Sequence, residues 1–464
     1  MFTQPGEAPY SNAKTAWRDN DEVVIEHPLD ELATNPKRAW CDPGPGLIHD
    51  IASWTMATSR WPNWPLAVAA ATSTISAVAA NNWFSPTRAA LTLYLVMLGS
   101  TGSGKDKALK SPARILKKID MAAHARSGKF HTASGLLKLL FVQPVCLGTC
   151  DEIAGMLFKR MNAQRADANS AQLRDILCSA WSMSADDEEL QPFNMALEIA
   201  EDIKWPAYTM LGASTKEDFF SGFSALNITD GLLNRLLLVI GSSGAKANLG
   251  SENPPPLPQN IIAGLAALRA APEGASKAQI MGGPMFKPWQ RIVPWGSVAA
   301  QRLFSDAERD TRALADGAAG DPIYCLIARL PEYAIRLATL HAMARDPIKP
   351  QVTDDDLDWG FALAISSSKL LMDGAEHNMA ENGYGRDQND VFNRIRGAGE
   401  AGIAERNLKR SFKRFEPTYL SKLTGHLHAL GKIKIVTMKN SRGSGPLRTM
   451  YFAEGLVPEM EVDD

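Results

Sequence analysis

Four apolar runs divide the first half of the chain into alternating segments. Each run leads into Gly, Asp or a Ser-Thr pair, and the runs cover residues 91–98, 145–149, 207–213 and 236–240. A nearly unbroken apolar run between turn residues predicts a strand that is buried on both faces, as in a parallel sheet. Helical patterns, including residues 107–121 and 170–181, fill the gaps. Strands that alternate with helices predict an α/β fold with a largely parallel sheet.

Helical patterns dominate on both sides of this α/β region. Before it, residues 65–81 are Ala-rich and predict a helix. Beyond a proline run at 254–258, apolar residues recur at helical spacing over residues 299–316, 322–345 and 353–379. We predict four units: a mostly helical N-terminal region at 1–85, an α/β core at 86–252, a helical extension at 253–380 and a last unit at 387–464. Within the extension, Glu332 and Arg336 have the i, i+4 spacing of an ion pair on a helix surface.

The last unit has its own order of elements. Three helical patterns precede two strand-like segments, at residues 387–396, 405–415, 418–430, 433–438 and 447–452. A basic, glycine-rich turn at 439–445 joins the two strands. Three helices followed by a two-stranded ribbon is the order of a winged helix-turn-helix, in which the third helix would enter a major groove.

Positive charge is concentrated in this last unit. Thirteen Lys or Arg residues between 394 and 448 face three Glu, which gives +10, whereas the whole chain carries −2. Such a basic surface is typical of proteins that bind DNA phosphates. The predicted DNA contacts are Lys409, Arg410, Lys413, Arg414, Lys422, Lys439 and Arg442. The alternative is a winged helix that binds another protein and whose charge is simply solvated.

The overall composition excludes other classes of protein. The 464 residues are 45% hydrophobic and 22% charged, as in ordinary globular proteins. No segment has the ~20 consecutive apolar residues that span a bilayer, and the polar N-terminus lacks a signal-peptide core. Five cysteines in so long a chain indicate reduced thiols, and Cys146 and Cys150 fit a strand core better than a metal site. We therefore expect a cytoplasmic protein without a membrane partner.

A glycine-rich loop follows the first predicted strand and precedes a helix. Residues 99–105 read Gly-Ser-Thr-Gly-Ser-Gly-Lys. Backbone N–H groups of such a loop cradle phosphates, the helix dipole adds to the attraction, and Lys105 would reach the β- and γ-phosphates of ATP. The predicted nucleotide-binding residues are Gly99, Ser100, Thr101, Gly102, Ser103, Gly104, Lys105 and Asp106. Asp106 replaces the usual Ser or Thr, and we predict that its carboxylate helps to bind Mg²⁺, because hard cations prefer oxygen ligands.

An acidic pair ends the second predicted strand, 46 residues after Lys105. ATP hydrolysis requires an acid that orients the metal and a group that positions water, conventionally on a neighbouring strand. We assign Asp151 to Mg²⁺ and Glu152 to the attacking water. The alternative is a structural pair that caps the helix beginning at Ile153, and the two interpretations are compatible.

Two further positions are candidates for catalysis. Ser214 and Thr215 end the next strand, where a hydroxyl could sense the γ-phosphate, although either could instead cap the following helix. Arg235, just before the fourth strand, is the candidate arginine finger and would act on a neighbouring subunit of a ring. Its structural alternative is a surface ion pair with Asp230 or Glu217.

The motifs occur in a recognisable order. After the phosphate loop come His-Thr-Ala-Ser-Gly-Leu-Leu at 131–137, Cys-Asp-Glu at 150–152, Leu-Gly-Ala-Ser-Thr at 211–215, Gly-Leu-Leu-Asn-Arg at 231–235 and Glu-Tyr-Ala-Ile-Arg-Leu-Ala at 332–338. Over about residues 65–380 this order resembles the primase-associated, helicase-like P-loop ATPases of phage, prophage and plasmid replication modules. The resemblance implies a RecA-like or AAA-like core, ring assembly and ATP-driven movement on DNA. It also implies the roles given to Thr215 and Arg235.

From these observations we expect an ATP-dependent DNA helicase or translocase. Its cofactors would be ATP and Mg²⁺, and its partners single-stranded or forked DNA and further copies of itself in a hexameric ring. The alternative is a DNA-binding replication initiator or regulator that uses ATP as an assembly switch and unwinds nothing.

Overall fold

The computed structural model describes residues 27–129, 132–155, 168–191, 202–221, 231–243, 247–248, 254–272, 288–317, 322–381, 383–438 and 448–453. The helices in these ranges are α1 Leu47–Ala57, α2 Trp64–Ala79, α3 Lys105–Lys118, α4 Ala133–Val142, α5 Ala168–Trp181, α6 Lys216–Ser221, α7 Gln259–Arg269, α8 Val298–Gly317, α9 Leu330–Arg345, α10 Asp354–Glu381, α11 Gly383–Arg396, α12 Glu405–Ser411 and α13 Pro417–Ala429. The strands are β1 Trp83–Phe84, β2 Tyr94–Leu98, β3 Ala125–Ser127, β4 Val145–Asp151, β5 Glu189–Leu190, β6 Ile203–Lys204, β7 Ala207–Ser214, β8 Leu237–Ile240, β9 Arg291–Ile292, β10 Ile403–Ala404, β11 Ile433–Met438 and β12 Arg448–Ala453. No helix in this part of the chain has the length and apolar character needed to cross a bilayer.

Five parallel strands form the central sheet, in the order β3-β4-β7-β2-β8. Every residue of β2 and β7 is buried, which explains why their sequences form nearly unbroken apolar runs. The prediction of an α/β fold with a parallel sheet is therefore confirmed. The short edge strand β3 has no apolar run, and the sequence analysis did not identify it.

Helices cover both faces of this sheet. On one face, the hydroxyl of Thr209 in β7 hydrogen-bonds to Ser76 of α2 at 2.8 Å. Side chains alternate along a strand, so the neighbouring Tyr208 points to the other face. There its ring contacts Tyr94, whose hydroxyl donates to the carbonyl of Leu177 in α5. A sheet covered on both sides leaves its strand ends as the accessible edges.

The two cysteines of β4 belong to the core. Cys146 and Cys150 are buried, and burial raises their pKa values to about 12 and about 11 respectively. Both thiols are therefore protonated at neutral pH and pack as small apolar groups. The prediction of strand-core cysteines is confirmed.

Two predicted helical boundaries are wrong. The segment 322–345 is not one helix, because a 3₁₀-helix, Pro322–Ile327, precedes α9. Pro331 lies in the first turn of α9, where the missing N–H of proline costs no hydrogen bond, so a new helix starts there. The gap predicted between the helical extension, with its end at 380, and the last unit, with its start at 387, is also too long, since α10 reaches Glu381 and α11 begins at Gly383.

The predicted ion pair between Glu332 and Arg336 forms, but it does not lie on the helix surface. Arg336 is 0% exposed, and its guanidinium donates to the carbonyls of Thr92 at 2.9 Å and Trp181 at 3.0 Å. It also donates to Glu332 at 2.5 Å and lies 3.8 Å from the centre of the Trp181 ring. Arg336 therefore joins α9 to the core, which local helical spacing alone does not reveal.

A second buried polar network fixes α10 against α9. The carboxylate of Asp356 is fully buried and lies 2.6 Å from Nδ1 of His341. It also accepts hydrogen bonds from Arg345 at 2.9 Å and from the Thr353 hydroxyl at 2.6 Å. Burial alone would raise the pKa of Asp356, but the hydrogen bonds from His341, Arg345 and Thr353 lower it below its usual value.

The residues beyond α10 form a unit with its own core. Helices α11, α12 and α13 pack with an antiparallel sheet in the order β10-β12-β11. Its buried apolar residues form a cluster separate from the main core, which includes Val391, Ile395, Leu408, Leu423, Leu427 and Ile433. The sheet therefore has three strands, where the sequence predicted a two-stranded ribbon.

Candidate functional site

Three predicted features meet at one edge of the central sheet. Leu98, the last residue of β2, pairs with Ser214 of β7 and with Ile240 of β8. Asp151, the last residue of β4, pairs with Ala213. The phosphate loop, the acidic pair and the Ser-Thr pair therefore follow the carboxyl ends of neighbouring parallel strands, where α/β folds bind ligands.

The phosphate loop ends at a helix whose first N–H groups receive no side-chain cap. Gly104 is the N-cap of α3 and has a left-handed φ of 88°. A Cβ atom there would lie 2.0 Å from the carbonyl oxygen of Trp61, so only glycine fits. Free N–H groups at a helix N-terminus attract anions, which is the geometry that a triphosphate needs.

The ammonium group of Lys105 lies at the centre of this edge. Its Nζ donates to the carbonyl of Gly99 at 2.7 Å and to that of Ser214 at 3.2 Å. Both acceptors are neutral backbone carbonyls, so neither places a negative charge beside the lysine. Lys105 therefore links the phosphate loop to the end of the adjacent strand β7.

Two buried hydroxyl groups in the site have no hydrogen-bond partner among the described residues. They belong to Ser103, which is 9% exposed, and to Ser214, which is 3% exposed. Buried hydroxyls are normally satisfied, so such groups indicate a missing ligand or water. Thr215 differs, because its Oγ1 accepts a hydrogen bond from the Asp218 N–H at 3.1 Å and caps α6. Both residues line the cleft, and the cap leaves Thr215 its O–H to donate; they differ in that Ser214 has no partner among the described residues.

A cleft of about 810 Å³ opens above these residues. Four carboxylates line it: the predicted Asp106, Asp151 and Glu152, and also Asp218. Nowhere in the described ranges do three or more His, Cys, Asp or Glu side chains form a metal site by themselves. Mg²⁺ usually binds one or two carboxylates together with substrate phosphates and water. The donor set therefore fits Mg²⁺ that arrives with a nucleotide.

Glu152 has an unusual backbone conformation. Its φ of 56° is left-handed, and its N–H donates to the carboxylate of Asp151 at 3.0 Å. Both side chains are exposed at the cleft. A non-glycine residue in this conformation costs free energy and is concentrated at functional sites. The conformation directs the two neighbouring carboxylates into one cleft.

The cleft also contains positive charges that the sequence analysis did not assign. They are the side chains of Arg60, Lys107, Lys110 and Arg114. Burial lowers the pKa of Lys107, and the charge of Arg114 lowers it further. The spacing of 107, 110 and 114 on a helix is the only sequence signal that could have placed them on one face.

Arg235 lies at the opposite edge of the sheet from the phosphate loop. It precedes β8, whose four residues span about 13 Å. Its guanidinium donates to the carbonyl of Gly231 at 2.6 Å and to the Ser182 hydroxyl at 3.2 Å, and it lies 5.5 Å from the Trp181 ring centre. Arg235 does not line the cleft and forms no ion pair with Glu217. The alternative partner Asp230 lies outside the described residues.

The basic residues of the last unit differ in their partners. Lys409 pairs with Glu405 at 2.6 Å. Arg414 is neutralised by Asp387 at 3.1 Å and Asp390 at 2.8 Å, which makes it a weaker candidate for a DNA contact.

The remaining predicted DNA contacts stay exposed or lie outside the described residues. Arg406, Arg410 and Lys413 are exposed around a shallow groove of about 360 Å³ beside α12, and none forms an ion pair within the described part of this unit. Lys422 is exposed on α13. The sequence analysis did not assign Arg406. Lys439 and Arg442 fall outside the residues that the structure describes.

Comparison with known proteins adds no relative. No protein-family model matches the chain, and no curated protein matches it.

Proposed function

We propose that this protein hydrolyses ATP in the cleft at the carboxyl edge of its central sheet. One observation carries the proposal: the uncapped start of α3, Lys105, the acidic pair and the unpartnered hydroxyl of Ser214 converge on this cleft. A helix N-terminus and a lysine bind a triphosphate, while carboxylates on a neighbouring strand serve hydrolysis.

Each residue then has a defined task. The loop N–H groups and Lys105 bind the β- and γ-phosphates, and the Ser214 hydroxyl donates to the γ-phosphate. Asp151 and Asp106 would hold Mg²⁺, which would offset the negative charge of the phosphate oxygens. Glu152 accepts a proton from the attacking water and orients it toward the phosphorus.

A ring of identical subunits gives Arg235 its role. It lies a strand's length from the phosphate loop of its own chain, so it reaches a γ-phosphate only on a neighbouring subunit. The strand order and the position of the phosphate loop fit a RecA-like or AAA-like core. The resemblance drawn from the motifs favours a hexamer.

The last unit would couple this ATPase to DNA. Its three helices and antiparallel strands fit a winged helix-turn-helix, with α13 as the helix for the major groove. The exposed cations Arg406, Arg410 and Lys413 beside α12 would contact phosphates. Together these features support an ATP-dependent DNA helicase or translocase of a phage, prophage or plasmid replication module.

Asp106 favours a second candidate function. Its carboxylate adds negative charge beside the phosphates where a hydroxyl usually stands, which could slow hydrolysis while permitting binding. A protein that binds ATP without turnover would be an ATP-switched initiator or regulator on DNA.

Steady-state ATP hydrolysis with and without single-stranded DNA tests the proposal. The comparison includes Lys105→Ala and the matched control Lys118→Ala, which removes an exposed lysine at the other end of α3. We expect turnover that DNA stimulates, that Lys105→Ala abolishes and that Lys118→Ala leaves intact. ATP binding without hydrolysis, with or without DNA, would contradict the motor and favour the switch. Unwinding of a forked duplex then separates a helicase from a translocase.

A further inference from the structure

Beside the phosphate loop lies a rigid segment, residues 58–64, that belongs to none of the predicted motifs. The side chain of Asn63 donates to the carbonyl of Ser103 in the loop at 3.1 Å and to that of Ser242 after β8 at 3.0 Å. The carbonyl of Trp61 accepts from the Ser59 hydroxyl at 2.9 Å. These bonds hold the backbone of the segment against the loop before any ligand binds.

The aromatic ring of Trp61 is exposed in the cleft. Its side chain is 40% exposed, and it is the one exposed tryptophan among the tryptophans that the structure describes. By contrast, Trp83 and Trp181 are buried beneath arginine guanidinium groups. Single exposed apolar side chains are common on protein surfaces, so the informative feature of Trp61 is that it lines the cleft beside the phosphate loop.

Trp61 lies beside the start of α3, at the end of the phosphate loop. Its Cβ would lie 3.5 Å from a Cβ on Gly104, the residue at which the phosphate-binding helix begins. Thr58 and Arg60 line the cleft on the same segment. The base of a nucleotide whose triphosphate binds at the loop would thus be within reach of this aromatic ring.

We propose that Trp61 is the stacking platform for the nucleobase of the bound nucleoside triphosphate, a proposal that rests on nucleotide binding by the phosphate loop. Aromatic rings bind any base through its π face, so stacking alone does not distinguish adenine from guanine. The platform would thus select nucleotides over tripolyphosphate, while the choice between ATP and GTP would remain weak.

Calorimetric titration of ATP, GTP and inorganic tripolyphosphate, each with Mg²⁺, tests this role. The proteins are the wild-type chain, Trp61→Ala and Trp61→Phe. Loss of stacking should weaken ATP and GTP binding by about 5- to 100-fold in Trp61→Ala. Tripolyphosphate affinity should change less than twofold, which also shows that the loop is intact in the variant. Trp61→Phe should recover most of the affinity because it keeps an aromatic face.

The outcomes separate this inference from the proposed ATPase. A wild-type chain that binds ATP no more tightly than tripolyphosphate, or a Trp61→Ala variant that keeps full ATP affinity, would overturn the stacking role alone. An equal loss of ATP and tripolyphosphate binding in Trp61→Ala would overturn it as well, because the ring would then support the loop. A wild-type chain that binds neither ligand contradicts the proposed function itself.

Discussion

Glu152 combines a strained backbone with a proposed catalytic carboxylate, so its replacement should have separable effects on stability and turnover. Its φ is 56°, and Asp120, which follows the C-cap of α3, has a similar φ of 59° and is exposed. Asp120 does not line the cleft. The two positions share a backbone conformation and differ in chemistry, which makes Asp120 a matched control.

The backbone conformation sets the size of the stability effect. An L-residue in the left-handed region costs about 1–2 kcal/mol, which glycine does not incur. Glycine loses about 0.4–1 kcal/mol of this advantage through its greater freedom in the unfolded chain. Glu152→Gly should therefore be more stable than Glu152→Ala by about 0.5–1 kcal/mol, and Asp120→Gly than Asp120→Ala by a similar amount.

Turnover should distinguish the two positions. Removal of a general base typically lowers rates by about 10²- to 10⁴-fold. Both Glu152 variants should therefore lose ATP hydrolysis, while both Asp120 variants keep it. Urea unfolding measures stability, and phosphate release with saturating ATP and single-stranded DNA measures turnover. Wild-type hydrolysis by Glu152→Ala would refute the catalytic role, and an alanine variant as stable as the glycine variant at both positions would refute the strain argument.

Four further outcomes follow from the described contacts. Ser214→Ala should weaken ATP binding by about 10- to 100-fold, because it removes a hydrogen bond to a charged group. Thr215→Ala should leave ATP affinity unchanged but lower the free energy of unfolding by about 1 kcal/mol, because it removes a helix cap. Calorimetric titration and urea unfolding of the same samples measure both effects, and the reversed pattern would show that the assignment is wrong. Arg336→Met should lower the free energy of unfolding, measured with urea, by about 3–5 kcal/mol, because it leaves buried acceptors without a donor. A decrease of less than about 1 kcal/mol would contradict this role of Arg336. The lowered pKa of Asp356 contributes stability that is fully present above the unfolded value of about 3.9 and is lost as pH falls through the folded value. Asp356→Asn should remove this part of the pH dependence of the unfolding free energy between pH 5 and 2. An unchanged pH profile in this variant would exclude the contribution of Asp356. Arg410→Ala should weaken DNA binding and reduce the magnitude of the slope of log affinity against log salt concentration by about 1. An unchanged slope would show that Arg410 does not contact a DNA phosphate.

The phosphate loop could be predicted because its chemistry is contiguous in sequence. A nest of N–H groups needs glycines, a strand before it and a helix after it, and all three lie within residues 91–121. The strands of the sheet could be predicted for a related reason, since burial on both faces requires apolar residues without interruption. The position of the acidic pair follows from strand order, because parallel neighbours end at the same edge.

Contacts between distant segments could not be predicted in this way. Arg336 donates to Thr92, 244 residues away, and to Trp181, 155 residues away. Nothing in the local spacing of Glu332 and Arg336 distinguishes this buried arrangement from a surface pair. The segment of Trp61 meets the loop only through tertiary hydrogen bonds, so its aromatic residue gave no sequence signal for the cleft.

Ser214 and Thr215 have different surroundings because strand β7 ends between them, and this difference decides which of them is the better candidate for contact with the γ-phosphate. The sequence pattern placed Ser214 and Thr215 together at the end of the strand, whereas β7 includes Ser214 and ends before Thr215. Side chains alternate along a strand, so the end of the ladder decides which hydroxyl stays in the sheet. Ser214 belongs to the strand ladder and lines the cleft with a hydroxyl that has no partner among the described residues. Thr215 lies beyond the end of the ladder, and its hydroxyl caps α6. Because a hydroxyl that accepts a hydrogen bond still has its O–H to donate, the cap does not exclude Thr215 as the γ-phosphate sensor. Ser214 is the stronger candidate because its buried hydroxyl has no partner among the described residues.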